Sequence, residues 1–180
     1  MRTILLTIAA FGLTCPAGAF AQEITLEEAA AARTQFDFLI GSWKIARVES
    51  EGKPAPTVGE RYVFRKLPQG SIEADWEMNR GTTEQPRLVI AKYYSGFDNA
   101  SRTWNFYFVS ERSAQLWPGK REGDRWYFHQ TFEDAGKMVP QRQWWEPIDA
   151  NSFRRYIETS DDGGRTYKPV WVATFVRESK

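Results

Sequence analysis

Apolar and polar residues alternate along most of this chain, as they do in strands with one buried and one exposed face. The segment 71–79 shows the pattern clearly, with apolar residues at every second position: Ile72, Ala74, Trp76 and Met78. The alternation predicts ten strands, over residues 42–49, 59–66, 71–79, 87–95, 102–110, 113–118, 124–132, 140–147, 152–159 and 166–177.

One segment near the start follows a helical pattern instead. Residues 24–35 predict a short helix, because Thr25 is a suitable N-cap, Glu28 completes a capping box and the following alanines favour helix. Turn residues separate the strands, and the longest irregular stretch is a predicted loop over 49–59. Short strands spaced by roughly 8–12 residues, with no helices between them, predict an all-β antiparallel sandwich or barrel.

The first 21 residues have the features of a secretory signal peptide. Arg2 provides a positive start, an apolar stretch follows, and Ala19 and Ala21 form a small-x-small cleavage site. The apolar stretch is too short to span a membrane, which takes roughly 20 residues. The sequence therefore predicts cleavage near Ala21, a periplasmic or secreted product and one mature domain over 22–180.

Cleavage would change both the charge and the chemistry of the chain. It removes one of the 24 basic residues and leaves 23 basic against 23 acidic residues, so nothing favours a nucleic-acid partner. It also removes Cys15, the single cysteine, and with it any disulfide or cysteine-based metal site. The remaining content is rich in aromatic residues, with eight Trp, seven Tyr and twelve Phe in the whole chain, as is common where large rings fill one face of a sheet.

The two ends of the predicted β-region carry a recognisable pair of features. Gly41 and Trp43 form a Gly-x-Trp at the entrance to the first strand, and Arg177 lies in the last strand. This combination resembles the lipocalin (calycin) family, and the surrounding phrases resemble a group of exported bacterial lipocalin-like proteins of unknown function. The resemblance implies a single up-and-down β-barrel of eight to ten strands with a short N-terminal helix. It also implies that Arg177 covers Trp43 at the closed end by cation–π packing.

A second motif precedes the last strand. The segment 160–167 fits an Asp-box, whose acid and hydroxyl groups hydrogen-bond turn amides while glycine adopts positive φ. Its motif residues are Ser160, Asp162, Gly164, Thr166 and Tyr167. A single copy predicts one tight hairpin, which is a structural role.

A barrel of this size holds one small ligand, and the expected function is binding or carriage of a small, partly apolar molecule. Alternation leaves open which strand face lines the interior, so the candidate lining residues come from both faces. They are Trp76, Tyr94, Trp104, Phe106, Tyr107, Trp126, Tyr127, His129, Trp144 and Arg155. Arginines among aromatic rings, such as Arg142, Arg154 and Arg155, suit the carboxylate end of an apolar ligand, and they equally suit stacked, solvated positions on the barrel wall.

Two other functions stay open at this point. One is an enzyme within the same barrel that uses His129, the only histidine, or an interior carboxylate. The other is an interaction module whose barrel is filled by its own side chains. No catalytic, cofactor or multi-histidine metal motif is present in the sequence, so no catalytic residue, cofactor or metal is predicted. Homodimerisation through an aromatic wall is a further possibility.

Overall fold

A computed structural model describes residues 24–56, 59–79, 81–82, 84–85 and 87–178. The predicted signal peptide, its cleavage site and Cys15 lie outside the described residues. Helix α1 spans Leu26–Thr34, and a 3₁₀ turn spans Asp37–Leu39. The strands are β1 Gly41–Ser50, β2 Lys53–Ala55, β3 Arg61–Lys66, β4 Ile72–Asn79, β5 Leu88–Asp98, β6 Thr103–Val109, β7 Ala114–Glu122, β8 Arg125–Asp134, β9 Lys137–Asp149, β10 Ser152–Thr159 and β11 Lys168–Arg177.

The strands form one closed antiparallel sheet. Each strand from β3 to β11 pairs with the next along the chain, and β11 returns to pair with β1. Strand β1 also pairs with β3, which closes a ten-stranded up-and-down barrel. The predicted fold class, an all-β barrel with a short N-terminal helix, is confirmed.

Helix α1 begins where the sequence predicts. The Thr25 hydroxyl accepts a hydrogen bond from the Glu28 amide, and the Glu28 carboxylate accepts one from the Thr25 amide. Strand β2 was not predicted: it is a three-residue strand that pairs with the far end of β1, inside the segment expected to be a loop. Its Pro54 is tolerated because β2 lies at the edge of the sheet. Among the described residues, no helix has the length and apolar character needed to cross a membrane.

Aromatic side chains fill the end of the barrel that holds the helix. Phe36 packs edge-on against Trp104 and contacts Phe128 and Trp145. The indole of Trp104 donates a 3.2 Å hydrogen bond to the Ala32 carbonyl. The helix and the following turn therefore close this end. They place aromatic rings in the barrel interior and accept the hydrogen bond of the buried Trp104 indole.

Trp43 and Arg177 lie opposite each other at the same end, where β1 pairs with β11. The Arg177 guanidinium carbon is 4.1 Å from the centre of the Trp43 ring, and its Nη1 donates a 2.9 Å hydrogen bond to the Ile40 carbonyl. Gly41 has a φ of 132°, and a Cβ there would collide with the Arg177 guanidinium. The glycine of Gly-x-Trp thus makes room for the cation that covers the tryptophan.

The Asp-box forms a compact turn between β10 and β11. The Asp162 carboxylate accepts hydrogen bonds from the Arg165 and Thr166 amides at 3.0 and 2.8 Å and from the Thr166 hydroxyl at 2.6 Å. The Ser160 hydroxyl accepts one from the Gly164 amide at 2.7 Å, and Gly164 has a φ of 91°. These hydrogen bonds lower the pKa of Asp162 far below its ordinary value. The side-chain hydrogen bonds of Asp162 are internal to the hairpin.

Candidate functional site: the barrel cavity

A cavity occupies the half of the barrel away from the helix. Its volume is about 330 Å³, near the lower end of the range of roughly 300–1,000 Å³ for ligand pockets. Seven of its lining residues are aromatic or aliphatic, four are glutamines and one is arginine. They are Trp76, Tyr93, Phe106, Phe108, Trp117, Phe132, Ile157, Gln115, Gln130, Gln141, Gln143 and Arg155.

Arg155 is the one cation in this lining, and it is only 4% exposed. Its Nε and Nη2 donate to the side-chain oxygen of Gln143 at 3.2 and 2.5 Å. Its Nη1 donates to the hydroxyls of Tyr62 and Tyr93 at 2.5 and 3.3 Å. All four of these hydrogen bonds end on neutral oxygens, so the guanidinium is held in place without a carboxylate among these partners.

The two tyrosines keep their protons in this environment. Burial raises the pKa of the Tyr62 hydroxyl well above its ordinary value and also raises that of Tyr93. Burial by itself lowers the pKa of Arg155, whereas Tyr62, Tyr93 and Glu60 raise it, so the net pKa lies above the ordinary value. Among these influences on Arg155, the negative charge of Glu60 is the weakest. The site therefore carries a positive charge at physiological pH.

Within the part of the chain that the structure describes, several buried donors around the cavity have no hydrogen-bond partner. They are the indole nitrogens of Trp76 and Trp117 and the side-chain nitrogen of Gln143. Gln143 is fully buried, and its oxygen is already used by Arg155. Leaving a buried donor unpaired costs about 1–3 kcal/mol, so these donors favour the binding of a hydrogen-bond acceptor in the cavity.

The barrel wall is incomplete beside this cavity. Strands β7 and β8 pair only over Gly119–Glu122 and Arg125–Phe128, so β7 before Gly119 and β8 after Phe128 are not paired with each other. Gln115 and Gln130 line both the interior cavity and a groove on the outer surface. The cavity therefore reaches the surface through the side of the barrel between these two strands.

The structure decides which of the candidate residues point inward. Trp76, Phe106 and Arg155 line the cavity. Trp104 and Trp126 also point inward but lie at the helix end, where the Trp126 indole donates a 2.8 Å hydrogen bond to Gln35.

The other five candidates lie on the outer face of the barrel. Tyr94 and Tyr107 are directly opposite each other on β5 and β6 and are 44% and 42% exposed. Tyr127, His129 and Trp144 lie on the outer surface of β8 and β9 and do not line the cavity. They belong to a different set of contacts.

Tyr127 and Trp144 belong to a cluster of stacked rings and cations on the outer surface. The Trp144 ring lies between the Arg125 guanidinium, 3.8 Å from its centre, and the parallel Tyr156 ring, also at 3.8 Å. Arg142 lies between the rings of Tyr127 and Tyr167 and donates a 2.5 Å hydrogen bond to the Glu158 carboxylate. The cluster packs the Asp-box hairpin against β8 and β9.

His129 lies beside this cluster. Burial lowers the pKa of its imidazole, as do Arg142 and Lys120, while Glu122 opposes the shift. The imidazole is therefore neutral at physiological pH, and it faces the outer groove rather than the cavity.

The residues that hold Arg155 were not predicted from the sequence. In the sequence, Tyr62 and Tyr93 look like ordinary aromatic residues of strands, and Gln143 looks like an ordinary polar residue next to Trp144. One signal was available: Arg155 falls between Phe153 and Ile157 on the apolar face of its strand. A cation on an apolar face needs partners from other strands, and those partners are set by register across the barrel.

The described residues contain no group of three or more His, Cys, Asp or Glu side chains that could hold a metal ion. The donors around the cavity are nitrogen–hydrogen groups, which hydrogen-bond an acceptor and do not ligate a cation.

No family model matches this chain, and no curated protein matches it in sequence. The S-type phycobiliprotein lyase CpeS from Guillardia theta is a similar solved structure, with 13% identity, a TM-score of 0.48, and coverage of 84% of this chain and 98% of its own. A protein of unknown function from the DUF3598 family of Nostoc punctiforme is another, with 10% identity, a TM-score of 0.26, and coverage of 82% and 99%. At such low identity, neither neighbour identifies a ligand for this chain.

Proposed function

We propose that this protein binds a small, partly apolar molecule inside its barrel. The observation that carries the proposal is the cavity of about 330 Å³, whose walls are aromatic and whose buried donors lack partners. A pocket of this kind combines apolar burial with a few polar groups that orient a ligand. The side opening between β7 and β8 supplies a route of entry.

The geometry supports binding more strongly than acid–base catalysis. Within the cavity lining, the described residues include neither a carboxylate nor a histidine, and His129 faces the outer groove. The polar residues that do line it, four glutamines and Arg155, hold or orient a ligand and do not exchange protons near neutral pH. The filled-barrel alternative is not favoured either, because an open volume lies between the rings.

The test is ligand binding by the chain over 22–180. Native mass spectrometry should show an added mass that is lost on denaturation, and an apolar dye should bind and alter the emission of the cavity tryptophans. Ile157→Trp, which fills the cavity, should weaken dye binding at least tenfold. Ile148→Trp on the outer surface, where the native side chain is 47% exposed, is the matched control and should leave binding unchanged.

Two results would contradict the proposal. One is a bare chain mass together with no dye binding by the unmodified protein. The other is equal dye affinity in Ile157→Trp and Ile148→Trp, which would place the dye site outside the barrel.

We also propose that the protein is an exported member of the lipocalin-like group, on the strength of the pattern in residues 1–21 and of the Gly-x-Trp and Arg177 pair. The mature protein recovered from the periplasm should begin at Gln22, which intact-mass measurement checks. A full-length mass from the cytoplasmic fraction would contradict export. Sedimentation of the same sample shows whether the protein is a monomer or a homodimer.

A further inference from the structure

We infer that the ligand carries a single carboxylate on an apolar body, and that Arg155, Gln143 and Trp76 form the site that binds this carboxylate. This inference rests on the proposed function, because it assigns a chemical class to the molecule in the same cavity. It makes the protein a binder of small amphipathic monocarboxylic acids.

The first step is the charge inside the barrel. A buried cation loses its hydration, and this cost is normally offset by a carboxylate partner or a bound anion. The four hydrogen bonds of Arg155 end on Tyr62, Tyr93 and Gln143, all of which are neutral. Glu60 contributes a weak electrostatic attraction, and a bound anion would supply an opposite charge in direct contact with the guanidinium.

The second step is the direction of the free hydrogen bonds. A guanidinium has five N–H donors, and four hydrogen bonds are accounted for, which leaves one on Nη2. The Gln143 nitrogen and the Trp76 indole add further donors without partners. All these groups donate, so the matching ligand group is an acceptor with several lone pairs, as a carboxylate is.

The third step is the rest of the wall. Phe106, Phe108, Phe132 and Ile157 line the same cavity and present no polar side-chain atom. They suit a hydrocarbon or aryl portion of the ligand. A single guanidinium matches a single negative charge, and about 330 Å³ restricts the ligand to a small acid.

The test compares two probes of equal chain length, octanoate and 1-octanol, by calorimetry on the protein over 22–180 after removal of any bound ligand. Octanoate should bind at least tenfold more tightly than octanol, because charge-assisted hydrogen bonds to a carboxylate are stronger than hydrogen bonds to a neutral hydroxyl. Inorganic phosphate is the third probe. It should bind at least tenfold more weakly than octanoate, because it cannot use the apolar wall.

Two variants and one control assign the effect to Arg155. Arg155→Met should reduce octanoate affinity at least tenfold and change octanol affinity less than threefold. Arg154→Met, on the exposed outer face of the same strand, is the matched control and should change neither. Gln143→Glu places a carboxylate where Arg155 already donates two hydrogen bonds, so it should also exclude octanoate while leaving octanol binding in place.

The variants also protect the test against misfolding, which circular dichroism would detect. If Arg155→Met does not fold, Gln143→Glu still decides the outcome, since it retains all the native side chains around it. Octanoate affinity that is unaffected in the folded variant would overturn the assignment of the site.

The outcomes separate this inference from the proposed function. Equal binding of octanoate and octanol, or native mass spectrometry that shows a neutral cargo, overturns the carboxylate and leaves the ligand-binding barrel standing. Phosphate that binds as tightly as octanoate overturns the amphipathic acid and indicates a simple anion site. A bare chain mass with no dye, octanol or octanoate binding overturns both.

Discussion

Two arginines on neighbouring strands show how the ends of this barrel differ. Arg177 on β11 lies 4.1 Å from the centre of the Trp43 ring and donates hydrogen bonds to the carbonyls of Ile40 and Ala150. Arg155 on β10 lies beside an open cavity, where neutral side chains accept its hydrogen bonds and nearby donors remain unpaired. The first cation completes a packed structure, whereas for the second we propose that a bound ligand completes the contacts.

The difference teaches that residue type alone does not distinguish a structural cation from a binding one. Arg177 is surrounded by acceptors that belong to the backbone of the closed end, so its partners are present in the folded chain. Around Arg155, the buried side-chain atoms of the described cavity lining that lack a partner are all donors: the Trp76 and Trp117 indole nitrogens and the Gln143 nitrogen. A surplus of buried donors is an energetic cost to the unliganded fold, and functional sites often retain such a cost.

The largest expected effect is on stability, and it compares how tightly the two ends of the barrel are packed. Trp43 is 1% exposed, packs edge-on against Phe153 and donates a 2.7 Å hydrogen bond to the Leu39 carbonyl. Trp43→Ala should lower the free energy of unfolding by about 3–5 kcal/mol, as large-to-small changes in cores do. Trp76→Ala at the cavity wall should cost clearly less, because that ring already borders open space. Equal losses in denaturant unfolding would mean that both ends are packed alike.

The next largest effect should show that the two arginines contribute differently to stability. Arg177→Met should lower the free energy of unfolding by about 1–2 kcal/mol, since it removes a cation–π contact and two hydrogen bonds. Arg155→Met should leave it within about 1 kcal/mol or raise it, because a desolvated charge is removed. Urea unfolding of both variants checks this. A loss of about 3 kcal/mol or more in Arg155→Met would show that this guanidinium is structural too.

A double-mutant cycle sharpens the assignment of the closed end. Trp43→Ala and Arg177→Ala should be non-additive, with a coupling of roughly 0.5–2 kcal/mol, because the two side chains are in contact. The same cycle between Trp43→Ala and Arg154→Ala, which is exposed on the outer face of β10, serves as the control and should be additive. Additive losses in the first cycle would mean that the Trp43 ring and the Arg177 guanidinium do not interact in solution.

The smallest effect should come from the Asp-box, which joins β10 to β11 at the end of this strand pair opposite Arg177. The lowered pKa of Asp162 means that the folded state favours its ionised form. The resulting stability is present above the ordinary aspartate pKa of about 3.9 and is lost as the pH falls below that value. Asp162→Asn should therefore flatten the pH dependence of stability below about pH 4, measured by thermal unfolding. An unchanged acid limb would show that the carboxylate does not hold the turn.

Much of the fold was predictable from local patterns. Alternation located ten strands, the capping box located α1, and Gly-x-Trp with Arg177 indicated closure of a barrel, whose fold class the structure confirms. The short β2 was missed because Pro54 and Pro56 indicate a loop to any local rule. Its pairing depends on the length of β1, which extends beyond the part that β3 covers.

The candidate site was predictable only in part. Alternation shows that a strand has two faces, but it does not show which face points into the barrel. Trp76 and Arg155 point inward and Tyr127 and His129 point outward, although all four follow the same two-residue alternation. No local sequence feature distinguishes the first pair from the second. The gap between β7 and β8 cannot be predicted from the sequence either. It arises because β7 pairs with β6 through residues 114–118 but with β8 only through residues 119–122.

The sequence by itself determined the local propensities of this protein: which segments are extended, where the helix begins, which turn the Asp-box locks, and which residue types are available. Only the tertiary structure decided which face points inward and which residues meet. Tyr62, Tyr93, Gln143 and Arg155 lie on four different strands, and Tyr62 is separated from Arg155 by 93 positions. Such contacts depend on register and closure around the whole barrel, which no single strand encodes.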